Sequence, residues 1–195
     1  MAASRPNKDD GEWIIYKGDM PIDDFLKRNR PTQIECSQYS WISVWRHSDF
    51  SKMKSPDKAS LLKEWECNME NFGKITSDYI LQLAEEYDYK TGKWLIYSKW
   101  PAIDNVWKRV AKAVVAGKLG YSAKVSTHDP EENAHVICVY TEDFTNEEHV
   151  RKVEENLRKE GITARMTYKP DIYTTLGIYR KNPWGLRPTV YSSHR

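Results

Sequence analysis

Read for the alternation and periodicity of its apolar positions, the chain divides into short strands and amphipathic helices. EWIIYK, residues 12–17, has the length and content of a strand. SWISVW, residues 40–45, alternates: Trp41, Ser43 and Trp45 share one face, Ile42 and Val44 the other. Between them Asp19 is placed to cap a brief helix over 21–28, with Pro21 tolerated in its first turn. After Ser55 and Pro56, Leu61, Leu62, Trp65, Met69 and Phe72 recur at helical spacing, and Gly73 ends the run. Thr76 caps a second helix with Tyr79, Ile80, Leu83, Ala84 and Tyr87 on one stripe. TGKWLIYS, residues 91–98, is a strand. Asp104 is expected to cap the next helix, whose apolar face carries Val106, Trp107, Val110, Ala111, Val114 and Val115.

YSAKVS (121–126) and AHVICVYT (134–141) are two strands joined by the polar link THDPEEN, most simply a hairpin. Thr145 with Glu148 three residues later reads as a capping box for a helix carrying Val150, Val153 and Leu157, with Gly161 past its end. GITARMTY (161–168) and DIYTTLGIYR (171–180) complete the chain as strands. In the second of these, alternation turns Ile172, Thr174, Leu176 and Ile178 toward the helices. It leaves Tyr173 and Tyr179 on the other face, with Gly177 between them. About seven strands and four or five helices, with late strands that need antiparallel pairing, predict an α+β fold. The expected architecture is a curved, mostly antiparallel sheet backed by helices on one face. Residues 1–11 are expected to be a disordered lead, and 12–195 one domain, as the length of 195 residues suits.

Composition sharpens where to look. Eight tryptophans and twelve tyrosines supply rings with polar handles suited to half-wet grooves as well as to a core. The formal net charge is only +2, yet its distribution is uneven. Residues 129–148 hold seven acids and no Lys or Arg, whereas 161–195 hold six Lys/Arg against the single Asp171. Either block can face a partner, or the two can merely solvate opposite edges. Cys36, Cys67 and Cys138 show no CxxC spacing and read as buried reduced thiols of a cytoplasmic or nuclear protein. MAASRPNKDD lacks the apolar stretch of a signal peptide, and no run approaches the roughly 20 residues of a spanning helix.

Catalytic signatures are missing: there is no G-x-S-x-G, no H-E-x-x-H and no phosphate loop. The histidines never pair at a metal spacing, and His135 and Cys138 point to opposite faces of their strand. Adjacent carboxylates in EEYD (85–88) and TEDF (141–144) read as solvent-facing. No cofactor, metal or catalytic residue is assigned.

The segments GKWLIYS, DNVWKRVAKAVVAGKL, HVICVYTEDFT and TYKPDIYTTLGIYR carry a further signal. Over residues 92–191 the chain closely resembles the basophilic leukemia-expressed protein family, and SWISVW extends the likeness toward the N-terminus. That family's fold is similar to the cap-binding translation initiation factor 4E, a curved antiparallel sheet backed by helices. The initiation factor grips a methylated guanine between two tryptophans, reads its edge with a glutamate and holds phosphates with Arg and Lys. At the matching positions this chain has Phe50 in HSDFSKMKS, Tyr87 or Tyr89 in LAEEYDYK, Glu85 or Glu86, and Lys124 in AKVSTHDPEEN. The resemblance therefore implies the fold without a methylguanosine cap pocket.

Two functions from different classes follow. The first is a non-catalytic module that binds RNA or a nucleotide through a basic, aromatic concave face. There Lys124, Lys169, Arg180 and Lys181 contact phosphate, and Tyr168, Tyr173, Tyr179 or Trp184 stack bases. The alternative is a protein–protein scaffold that grips a partner with exposed tryptophans of the helical face. A catalytic reading ranks third and would centre on Lys169, Pro170, Asp171 and Tyr173.

Overall fold

A computed structural model describes residues 11–46, 56–71 and 75–193. Among them one sheet gathers β1 (Trp13–Ile15), β2 (Trp41–Trp45), β3 (Gly92–Lys99), β4 (Ser122–Ser126), β5 (Ala134–Thr141), β6 (Met166–Pro170) and β7 (Tyr191–Ser192). The order is β1-β2-β4-β5-β3-β6-β7, with β1 parallel to β2 and every other pairing antiparallel. The helices are α1 (Ile22–Arg28), α2 (Lys58–Asn71), α3 (Ser77–Glu86), α4 (Ile103–Val115), α5 (Glu147–Lys159) and the single turn α6 (Asp171–Thr175). The fold is α+β, a curved and mostly antiparallel sheet with helices against it.

Period two decides which side of the sheet each residue serves. Ile42, Val44, Trp94, Ile96, Val125, Ile137, Val139, Met166 and Tyr168 face the helices and are buried there. They meet Leu61 of α2, Ile80 and Leu83 of α3, Trp107, Val110 and Val114 of α4, and Val150 and Leu157 of α5. The indole of Trp94 is satisfied in this core, its Nε1 donating to the Val150 carbonyl at 3.0 Å. Gly92 is demanded by the same packing, because a Cβ there would collide with the Tyr168 hydroxyl.

The largest correction concerns residues 171–180, which are not a strand. Pro170 ends β6 and stands at the N-cap of α6, while the Asp171 amide donates to the Thr91 carbonyl at 2.8 Å. Ile172, Tyr173 and Leu176 then form one buried helical face. Ile172 and Leu176 are four apart, a spacing that fits one helix face as well as a period of two, which is why alternation misled. The turn closes as a Schellman motif on Gly177, at φ +72°, with Gly177 N–H bonding to Thr174 O and Ile178 N–H to Tyr173 O. The seventh strand is β7 at the sheet edge instead.

Helix starts divide similarly. Thr76 caps α3 as expected, accepting from the Tyr79 amide at 3.2 Å. Asp19 and Asp104 do not cap: Pro21 and Ala102 occupy those N-cap positions without side-chain bonds. Asp104 instead accepts from the Thr32 amide and hydroxyl at 3.1 and 2.7 Å, tying the segment after α1 to α4. In place of the Thr145/Glu148 box, Asn146 accepts from the His149 amide at 3.0 Å, while Thr145 bonds to Asp143. The β4–β5 hairpin is as expected. Of the cysteines only Cys138 is buried; Cys36 is half-buried, Cys67 exposed, and all three are free thiols. The expected polar lead falls almost wholly outside the described residues. Among those described, no helix is long and apolar enough to cross a membrane.

Candidate functional site

The face of the sheet turned away from the main core carries a second, smaller set of side chains. Cross-strand register assembles it in rows. One row runs from Ser43 through Lys124, Cys138 and Leu95 to Thr167. The next runs from Trp45 through Ser122, Tyr140 and Lys93 to Lys169. Trp41, Leu95 and Cys138 form an apolar floor, with Trp13, Val136 and Tyr140 packed against it.

Three lysines stand on this face, each buried, and each in a different environment. The Lys93 ammonium is paired with the Asp171 carboxylate and donates to Thr174 Oγ1 at 3.0 Å. Asp171 also accepts from Thr91 Oγ1 at 2.7 Å. The Lys124 ammonium lies over two indoles, 4.4 Å from the Trp13 centroid and 3.9 Å from that of Trp41. Lys169 lies 3.8 Å from the centroid of the Tyr179 ring, which is itself about half exposed. Burial, and then the neighbouring Lys93 charge, bring the Lys169 amine from an ordinary 10.5 down to about 8, against smaller upward pulls from Asp171 and Cys138.

Above the floor lies a cavity of about 550 Å³. Among the described residues that line it are Lys93, Lys124, Lys169 and Arg180, and no carboxylate. Trp41, Tyr97 and Tyr179 supply its rings, and Pro188 and Thr189 one rim. Four cations over an apolar, aromatic floor suit a flat ligand that carries negative charge.

Residues 49–177 match the family model of the basophilic leukemia-expressed protein Bles03. The chain belongs to that family. Solved structures similar to this Bles03-family chain include eIF4E proteins, at low identity. A C. elegans eIF4E-3, solved with the 4E-binding protein Mextli and a cap analog, is 18% identical, with a TM-score of 0.40 over 45% of this chain and 54% of that one. An Ascaris suum eIF4E-3 with m7G cap is 15% identical, at TM-score 0.37 over 44% and 54%. A schistosome eIF4E complexed with m7GpppA and 4E-BP is 11% identical, at TM-score 0.44 over 68% and 81%. This chain thus spans about half the length of the two nematode factors. The overlaps are partial, and the chemistry of the site rests on the chain's own residues.

Within this Bles03-family fold the residues singled out from the sequence separate. Lys124, Lys169, Tyr179 and Arg180 converge on the cavity. Tyr168 does not: it is fully buried on the helical side, its hydroxyl 2.6 Å from Thr141 Oγ1. Tyr168 and Lys169 are consecutive on a strand and so cannot share a face. Tyr173 is buried on α6, and Trp184 packs edge-on against Trp65 of α2 with centroids 5.4 Å apart. None of these three rings is placed to stack a base on the open face. Lys181 is exposed and lies outside the cavity lining.

The positions matched to a cap grip fare no better. Phe50 lies outside the described residues. Tyr87 donates to Glu64 at 2.5 Å, Tyr89 bonds to Thr175 at 2.9 Å, and both pack on the main core. Trp13 and Trp41 do meet on the open face, but tilted 50° at 6.2 Å with the Lys124 ammonium over both rings. The tryptophans of the helical face are covered too: Trp65 and Trp107 are buried, and Trp100, beyond β3, is the one with more than half its surface exposed.

Sequence reasoning missed Lys93, Trp41 and Tyr97 as cavity residues. The signal was present in GKWLIY, where burying Trp94 and Ile96 must turn Lys93, Leu95 and Tyr97 to the opposite side.

Proposed function

We propose that the open face binds single-stranded RNA or a nucleotide, with phosphate held by Lys124, Lys169 and Arg180 and a base resting on the aromatic floor beside Trp41 and Tyr97. The observation that carries this reading is the lining, among the described residues, of four basic side chains, three of them buried lysines, with a single neighbouring carboxylate, Asp171, already paired with Lys93 outside that lining. Withdrawing ammonium groups from water costs free energy, and a polyanion offsets that cost on binding. The volume of about 550 Å³ suits one nucleotide unit at a time rather than a duplex. Aromatic stacking tolerates any base, so the reading implies weak sequence preference and strong salt dependence.

The test is binding of a fluorescent single-stranded oligoribonucleotide across a salt series. The Lys169→Ala, Arg180→Ala double variant is expected to bind roughly 10- to 100-fold more weakly at physiological salt. Its salt slope should fall by about 1.4, since two cations that neutralise phosphates have been removed. Equal affinity and equal slope in the double variant would remove this face from the binding surface.

A further inference from the structure

The environment of Lys169 goes beyond what charge complementarity needs. Its amine is at the wall of the cavity, 5% of the residue exposed, with the Tyr179 ring over it. Its cross-strand neighbour is another lysine, Lys93, which takes the Asp171 carboxylate for itself together with Thr91. A lysine amine held among apolar groups and beside a second cation keeps its lone pair at lower pH than a surface lysine does, and is the usual setting of an imine-forming lysine.

We propose that Lys169 is a nucleophilic amine that captures a small aldehyde or ketone bearing an anionic group, through an imine. Its Nζ lone pair attacks the carbonyl carbon, forming the C–N bond while the carbonyl π pair moves to oxygen. Loss of water from the carbinolamine breaks the C–O bond and leaves C=N. Both hydrogens of the neutral amine depart in that water, so no oxidant, reductant or co-reactant is consumed. Lys124 and Arg180, on the same cavity, hold the anionic group. The charged and titratable groups facing the amine are Lys93 of β3, Asp171 of α6, Cys138 of β5 and the Tyr179 phenol. Burial and Lys93 bring the amine to about 8, so a usable fraction is neutral near physiological pH.

The inference shares its cavity with the RNA-binding reading but does not require it. The full chain is treated with pyridoxal 5′-phosphate, an aldehyde with a phosphate, then reduced with borohydride and mapped by peptide mass spectrometry. Lys169 is expected to be labelled first, to about one adduct per chain, with a rate that rises to half its maximum near pH 8. Lys169→Arg, which keeps the charge, should remove that adduct. In the wild type, inorganic phosphate, which competes for the anion-holding Lys124 and Arg180, is expected to slow labelling of Lys169 and to leave surface lysines unaffected. Adducts spread over exposed lysines with Lys169 unmodified, or a first adduct that forms in Lys169→Arg at the wild-type rate and stoichiometry, would overturn the inference. Oligoribonucleotide binding with no Lys169 adduct removes this inference alone, and a Lys169 adduct without such binding removes the RNA reading alone.

Discussion

Replacing Lys93 with methionine is expected to destabilise the protein by about 3 kcal/mol. The substitution keeps the aliphatic stem and removes the ammonium, leaving the Asp171 carboxylate without its ion pair where the two side chains are only 9% and 15% exposed. The remaining bond from Thr91 does not replace a charge. The damage follows from an orphaned charge rather than from poorer packing, so Lys93→Met with Asp171→Asn is expected to recover most of the loss, to within about 1 kcal/mol of the wild type. Urea unfolding of the two singles and the double measures this directly. Additive losses in the double would show that the pair does not act as a unit.

Lys169, the cross-strand neighbour of Lys93, is expected to behave in the opposite sense. Its amine is lowered from 10.5 to about 8 in the folded protein, burial being the first cause. Between those two values the unfolded chain binds more protons than the folded one, so wild-type stability rises with pH across that window. Below about pH 8 the full penalty of the buried charge is present, and above about 10.5 it is gone. Lys169→Met escapes the penalty and is therefore expected to be more stable than wild type at pH 7, by up to about 3 kcal/mol. That advantage should shrink steadily as pH is raised toward 10.5. Removing the cation from the face of the Tyr179 ring subtracts a smaller amount, about 1 kcal/mol. A stability difference that stays flat from pH 7 to 10 would contradict this account of Lys169. The two variants separate a paired cation that supports the fold, Lys93, from one held at a cost in stability, Lys169, as binding sites hold theirs.

Much of this was legible in the chain, for reasons that differ by residue. The strands of residues 40–45, 91–98, 121–126 and 134–141 were plain because Ile42, Val44, Trp94, Ile96, Val125, Ile137 and Val139 enforce a period of two. The same parity, carried one step further, separates Tyr168 from Lys169 and exposes Lys93 to the cavity; grouping the basic aromatic stretch by composition concealed it. Residues 171–176 were ambiguous in principle, since Ile172 and Leu176 satisfy both periods and Pro170 decides between them. The pairing of Trp13 with Trp41 depends on β1 lying parallel to β2, an arrangement that local pattern does not specify. Likewise Asp104 reads as a cap until Thr32, 72 residues earlier, claims both of its oxygens.

As proposed, the open face is built for a flat ligand with a negative charge. Trp41 is on its floor and its indole is in contact with Lys124, so the protein carries its own reporter. The decisive measurement is tryptophan fluorescence during parallel titrations with adenosine 5′-monophosphate and adenosine, repeated in the Trp41→Phe variant. Saturable quenching by the monophosphate, at least tenfold weaker with the nucleoside and reduced in Trp41→Phe, is the predicted result. Titrations that are flat, or identical with and without the phosphate, would contradict it.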